Sequence, residues 1–229
     1  MRAAVQGCRG CDLYKNATQA VFGEGPRTAR VVFVGEQPGD SEDRAGRPFV
    51  GPSGKLLDRA LDAAGIDRDD VYVTNAVKHF KWAKDARSTR RIHKTPNAGE
   101  LRACRPWLDA ELALLRPTAI VCLGATAAKA LLGRDFSVLK RRGLSNQSPL
   151  AMAVFATVHP SAVLRAPKEQ RAIAERLFMA DIRKVGAYLA KHDDTPRERR
   201  ASSRTLSRWP VITEHRSDTS SARTRSSRG

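Results

Sequence analysis

Short apolar runs alternate with segments of helical period along this chain. "ARVVFVGEQPGD" is an apolar run that empties into glycine and proline, the pattern of a buried strand leading into a loop. Pro52 and Ser53 then open a helix, "SGKLLDRALDAAG", in which Leu56, Leu57, Ala60, Leu61 and Ala64 recur at helical spacing until Gly65 stops it. "DVYVTNAV" predicts a second strand over Val71 to Thr74. "NAGELRACRPWLDAELALLRP" predicts a helix ended by Pro117, "TAIVCLG" a third strand, and "ATAAKALLG" a short helix closed by Gly133. A fourth strand is expected over Ala153 to Val158. A long last helix follows over roughly Lys168 to Ala190, with Ile173, Leu177, Ile182, Val185 and Leu189 on its buried face. Because the strand runs are continuously apolar, a mostly parallel sheet covered on both sides is favoured: a three-layer α/β/α fold with a central four-stranded sheet. Ligands of such sheets bind beyond the carboxyl ends of the strands, where "GEQPGD", "TNAVKH" and "HPSAVLR" converge.

The length of 229 residues suits one hydrophobic core, and the formal charge of +17 points to a polyanionic partner. The charge is concentrated. From Lys78 to Lys94 the chain carries Lys78, Lys81, Lys84, Arg87, Arg90, Arg91 and Lys94 against the single acid Asp85, a cationic patch of the kind that tracks phosphates. This stretch shows no helical or strand period, and it holds a histidine, His93, in "STRRIHKTPN". Beyond His192 the composition turns basic and rich in Ser and Thr, with "RWPVI" the only apolar island. Residues 1–192 are therefore expected to form one domain and 193–229 a disordered basic tail. Neither a secretory h-region nor a run of 18 apolar residues is found, so the expected location is the bacterial cytoplasm, on the nucleoid when DNA is bound, as a monomer without membrane association.

Cys8 and Cys11 form a CxxC, with Cys104 on a helix and Cys122 in a strand far away in sequence. On spacing alone, zinc, a 4Fe-4S cluster and plain burial of Cys122 all stay open. "GPSGK" at Gly51 to Lys55 is part of a phosphate loop at most, because Leu56 stands where Ser or Thr is required.

Seven scattered pieces, "CRGCDLY", "GEQPG", "GRPFVGPSGKLLD", "YVTNAVKH", "CRPWLDAEL", "LGATAAKALLG" and "HPSAVLR", together resemble the iron-sulfur uracil-DNA glycosylases of family 4, in order, from Cys8 to about Leu189. Gln37 and the inserted "RRIH" loop resemble its UdgX branch, whose members excise uracil and become covalently attached to DNA through the loop histidine. Ordinary members of the family carry alanine in place of Gln37 and lack that histidine. A lysine that commonly begins the basic run is Thr89 here. The resemblance implies a uracil-DNA glycosylase-like fold, uracil-containing DNA, single-stranded or duplex, as partner, and a 4Fe-4S cluster on Cys8, Cys11, Cys104 and Cys122. It also implies roles at the pocket. Phe49 stacks on the extruded base. Asn75, directly after a strand, offers a donor and an acceptor to uracil that cytosine would leave unpaired. His159 stabilises the charge that develops on the departing base. Glu36, Gln37 and Asp40 surround base and sugar, and backbone amides at Gly35 and Gly39 hold uracil or phosphate oxygens. Lys78, Arg90, Arg91, Lys94, Ser161 and Arg165 contact DNA phosphates, with Ser161 equally suited to capping and Arg165 to positioning its loop. His93 attacks the sugar. Conventional multiple-turnover excision and a non-catalytic uracil-DNA binding module are the competing readings.

Overall fold

The computed structural model describes residues 1–85 and 88–192. From the N-terminus, α1 (Arg2–Gln6) and a 3₁₀ turn (Asp12–Lys15) precede β1 (Val31–Gly35), α2 (Asp40–Ala45), α3 (Pro52–Ala63), a second turn (Arg68–Asp70) and β2 (Val71–Asn75). A hairpin of β3 (Trp82–Lys84) and β4 (Arg91–His93) leads to α4 (Ala98–Leu115), β5 (Ala119–Leu123), α5 (Ala125–Leu132) and α6 (Val138–Arg141). The order then runs β6 (Ser145–Ser148), β7 (Ala151–Thr157), α7 (Pro160–Leu164) and α8 (Lys168–Lys191).

The sheet order is β2-β1-β5-β7-β6. Its first four strands are mutually parallel, as the apolar runs predict, and β6 adds a short antiparallel edge that hydrophobic pattern did not announce. Alternate residues of each strand feed two separate apolar layers. Val31 and Phe33 face Leu56, Leu57 and Leu61 of α3 and Phe178, Ile182 and Val185 of α8. Val32, Val34, Ile120 and Cys122 face Leu108 and Leu112 of α4 and Ala127 and Ala128 of α5. These are the three layers of the expected fold. On α8, Ile173 and Leu177 are about half exposed, contrary to expectation, because the buried face runs through Phe178, Asp181, Ile182, Val185 and Leu189.

Local sequence sets the helix ends near the sheet. Pro52 begins α3 at the position where a missing N–H costs nothing. Asn97 caps α4 through a reciprocal pair, its side chain accepting from Glu100 N at 2.9 Å while Glu100 accepts from Asn97 N at 2.7 Å. Lys81, at the start of the hairpin, donates to the same Glu100 carboxylate at 2.9 Å and so ties the hairpin to α4. Among the described residues no helix is long and apolar enough to cross a membrane. The expected tail, 193–229, lies outside the described residues.

Candidate functional site

The carboxyl ends of β1, β2, β5 and β7 open onto one cavity of about 540 Å³. Glu36 and Gln37 enter it from the loop after β1, Asn75 from the end of β2, Gly124 and Thr126 from the turn into α5, and His159 and Ser161 from the turn into α7. Phe49, Asp40, Arg165 and, from the hairpin, Arg90 and His93 also line it. Segments far apart in sequence thus meet where parallel-sheet topology leads them to meet.

Phe49 adopts a positive φ of 56°, rare for a bulky residue and characteristic of a strained functional position. Gly54 makes this possible: a Cβ there would lie 1.6 Å from Phe49 O. The Phe49 ring stacks toward His159 at 6.3 Å between centroids and 27° between planes. Asn75 is buried, and its Oδ1 occupies the space above Gly35, where an added Cβ would come within 2.3 Å of that oxygen and 2.9 Å of the Phe49 ring. Gly35 therefore serves by lacking a side chain, and its carbonyl accepts from Ala76 N at 2.9 Å. The carboxamide of Asn75 and the face of Phe49 together bound a slot for a planar ring with a donor-acceptor edge.

The Nδ1 atom of His159 accepts from Ser161 N at 3.1 Å and lies 2.8 Å from Ser161 Oγ. A nitrogen that accepts cannot carry the proton, so the neutral ring holds it on Nε2. Burial, reinforced by Arg165 and His93, pushes the imidazole down to about 4. His159 is thus a neutral Nε2–H donor at neutral pH. The cap of α7 is His159 itself rather than Ser161, whose backbone N–H donates to the His159 ring and whose Oγ lies beside it.

His93 stands on β4, half exposed, with Nε2 3.5 Å from Glu36 Oε1 and its ring 6.0 Å from that of Phe80. Its imidazole is held below the ordinary value chiefly by burial, with Glu36 opposing and Arg165 assisting. The neighbouring basic segment is not the main cause. The other Glu36 oxygen, Oε2, accepts from Thr126 Oγ1, a pocket residue that sequence reasoning did not single out. Its signal was present: Thr126 is the second residue of a helix that follows a strand at a Gly.

Several expected roles are corrected. Gln37 lines the cavity, but its carboxamide is committed to the hairpin: Oε1 accepts from Lys81 N at 2.9 Å, and Nε2 donates to Lys81 O and Lys94 O, each at 3.1 Å. Gly39 N donates to Glu42 Oε2 at 3.1 Å, and Glu42 Oε1 accepts from Gly51 N at 2.8 Å, so the Gly39 amide is not offered to uracil or phosphate. Lys78 is not a phosphate contact, because it is fully buried with Nζ 2.5 Å from Glu111 Oε2. Arg91 pairs with Asp40 and with Asp43, the latter at 2.6 Å, and so anchors the hairpin through acids rather than phosphates. Burial works against ionisation of Asp40, yet Arg44 and Arg91 outweigh it and hold the carboxyl below its ordinary value. Arg90 and Arg165 line the cavity and are exposed, and Lys94, next to His93, is exposed too, so a backbone phosphate could reach them.

The 4Fe-4S expectation is overturned. Cys104 lies in a small apolar cluster with Leu13, Val77 and Cys11, and Cys8 accepts from Trp107 Nε1 at 3.3 Å. Cys122 is elsewhere, in the apolar layer between the sheet and α4 and α5. Burial pushes its thiol up to about 12 and that of Cys104 up to about 11. Among the described residues no group of three or more His, Cys, Asp or Glu is placed to hold a metal ion. The expected cluster and the metal-binding role assigned to the four cysteines therefore fall together.

Comparison with known proteins agrees with the geometry. The profile of the Uracil DNA glycosylase superfamily matches residues 22–183. A type-4 uracil-DNA glycosylase of Thermotoga maritima is 38% identical over 188 residues, covering 82% of this chain and 92% of that protein. Those of Pyrobaculum aerophilum and Archaeoglobus fulgidus are 41% and 36% identical, covering 71% and 83% of this chain and 82% and 92% of their own.

Proposed function

Since the chain belongs to the uracil-DNA glycosylase superfamily, in its type-4 branch, we propose that it excises uracil from DNA at this cavity and that His93 then captures the exposed sugar. The observation that carries the reading is the meeting of Asn75, His159, Glu36 and His93 in one cavity from four separate segments. A uracil flipped out of its strand fits between Phe49 and the Asn75 carboxamide, whose N–H donates to a ring carbonyl while its oxygen accepts the ring N–H. As the bond from the sugar to N1 breaks, its electron pair passes to the uracil ring. The neutral His159 Nε2–H donates to the oxygen on which that charge gathers. Arg90, Lys94 and Arg165 hold the flanking phosphates.

Two fates then compete for the sugar cation. The named relatives are type-4 uracil-DNA glycosylases, which supports addition of water and turnover. Supporting capture instead is His93, kept neutral by burial and thus retaining a ring lone pair, held on a hairpin at the cavity mouth. Attack by that lone pair leaves a positive imidazolium bonded to the sugar, beside the Glu36 carboxylate at 3.5 Å. No easily hydrolysed acyl group is formed, so one chain is consumed for each uracil removed. Incubation with a uracil-containing oligonucleotide followed by a denaturing gel separates the readings. A heat-stable shifted band that disappears in His93→Ala supports capture, free abasic DNA from the wild type supports turnover, and intact DNA refutes both in favour of a binding module.

A further inference from the structure

Lys78 lies at the root of the hairpin, three residues beyond Asn75, and both it and Glu111 of α4 are sealed from solvent. An ammonium has three protons to donate, and here each has an acceptor: Glu111 Oε2 at 2.5 Å, Thr74 Oγ1 at 2.7 Å and the backbone carbonyl of Asn75 at 2.8 Å. Glu111 is equally saturated. Its Oε2 also accepts from Thr74 Oγ1 at 2.9 Å, while Oε1 accepts from Tyr72 Oη and Gly23 N, both at 3.0 Å. The backbone of Lys78 is held as well, N donating to Cys104 Sγ at 3.2 Å and O accepting from Val21 N at 2.7 Å.

A buried ion pair is a poor source of net stability, since desolvation cancels most of its attraction, so stability alone does not account for it. Its distinctive connection is to Asn75. On one side the peptide after Asn75 is tied to β1, through Ala76 N to Gly35 O at 2.9 Å. On the other the Asn75 carbonyl is gripped by the charged end of Lys78. The carboxamide that extends into the cavity thus starts from a backbone fixed on both sides. A hydrogen bond from a charged donor is stiffer than a neutral one.

We infer that the Lys78–Glu111 pair is a positioning device for uracil recognition, setting the direction of the Asn75 carboxamide. This rests on Asn75 as the uracil contact of the proposed function. The test is Lys78→Met combined with Glu111→Gln. Glutamine still accepts from Tyr72 and Gly23 and replaces Lys78 as donor to Thr74 Oγ1, whose own proton loses its acceptor, while the tie to Asn75 is lost without replacement. Single-turnover excision of uracil should fall about tenfold, with affinity for uracil-free DNA unchanged. Tyr72→Phe is the matched control: it removes a Glu111 contact on the side away from Asn75, and should lower Tm without changing the excision rate per folded molecule. Were the double variant unfolded at the assay temperature, Thr74→Val would replace it, with a smaller loss of rate than the double variant and the same control. Excision by the folded variant within twofold of wild type, or an equal loss in Tyr72→Phe, would overturn the inference. Absence of excision by the wild type would instead overturn the proposed function.

Discussion

Replacing Gln37 by Ala should release the hairpin that presents His93 while leaving the sheet intact. The side chain is only 6% exposed and makes three hydrogen bonds, one from Lys81 N and one each to Lys81 O and Lys94 O, which join the two ends of the hairpin to the loop after β1. At about 0.5–1.5 kcal/mol net for each, the loss is roughly 2–3 kcal/mol, some of it regained as water reaches the freed groups. The hairpin has only three residues in each strand and little apolar burial of its own, so the loss falls on its local opening rather than on global unfolding. An opening equilibrium shifted by that amount changes about 30- to 150-fold. Two amides report it directly, Asp85 N, bonded to Arg90 O at 3.0 Å, and Lys94 N, bonded to Lys81 O at 2.9 Å. Native-state hydrogen exchange should show their protection falling by this factor, with the amides of β1 and β5 unchanged. Unchanged protection in the hairpin, or a uniform loss across the sheet, would refute the assignment of Gln37 as its clamp.

Other outcomes follow from the same geometry. Gly35→Ala should leave the circular dichroism spectrum native but cut uracil excision about 100-fold, because the new Cβ displaces Asn75 Oδ1 and with it both hydrogen bonds to the base. For His159, with its pKa lowered from 6.5 to about 4, the unfolded state binds more protons between those values. Its contribution to stability is therefore complete above pH 6.5 and is lost as pH falls toward 4, which acid titration of Tm in wild type and His159→Gln will measure. His93 also titrates below its ordinary 6.5, so the covalent product should still form at pH 6.5 and fail to form only at lower pH; failure to form near pH 7 would contradict a neutral nucleophile. Cys122→Ala should cost about 1 kcal/mol as a small core cavity and leave excision unchanged, whereas loss of activity in folded protein would return Cys122 to a functional role.

The parallel sheet was legible because each strand is a short apolar run; Asn75 and His159 stand at the ends of such runs, where α/β folds place their sites, but it was the family resemblance rather than position that gave them roles. The hairpin was not legible. Its strands carry Trp82, Lys84, Arg91 and His93 with no apolar alternation, and what holds it is polar: the Gln37 carboxamide and the Arg91 pairs with Asp40 and Asp43. Hydrophobic periodicity does not record such ties. Lys78 was misread for a related reason, since lysine is seldom buried and its partner Glu111 lies on a different element, 33 residues away. Cys122 shows the opposite error. Its place in "TAIVCLG" already marked a strand buried on both faces, and burial there explains the residue without a ligand role.

The account stands most directly on the amount of free uracil released from a defined oligonucleotide. Wild-type chain mixed with single-stranded DNA containing one uracil should release uracil, measured by mass spectrometry. Asn75→Ala, with unimpaired affinity for uracil-free DNA, should release it at least about tenfold more slowly. Release that plateaus at one uracil per chain is the result predicted with His93 capture. Uracil that remains attached to the sugar under these conditions, or release that is the same in Asn75→Ala, would contradict the assignment of this cavity to uracil excision.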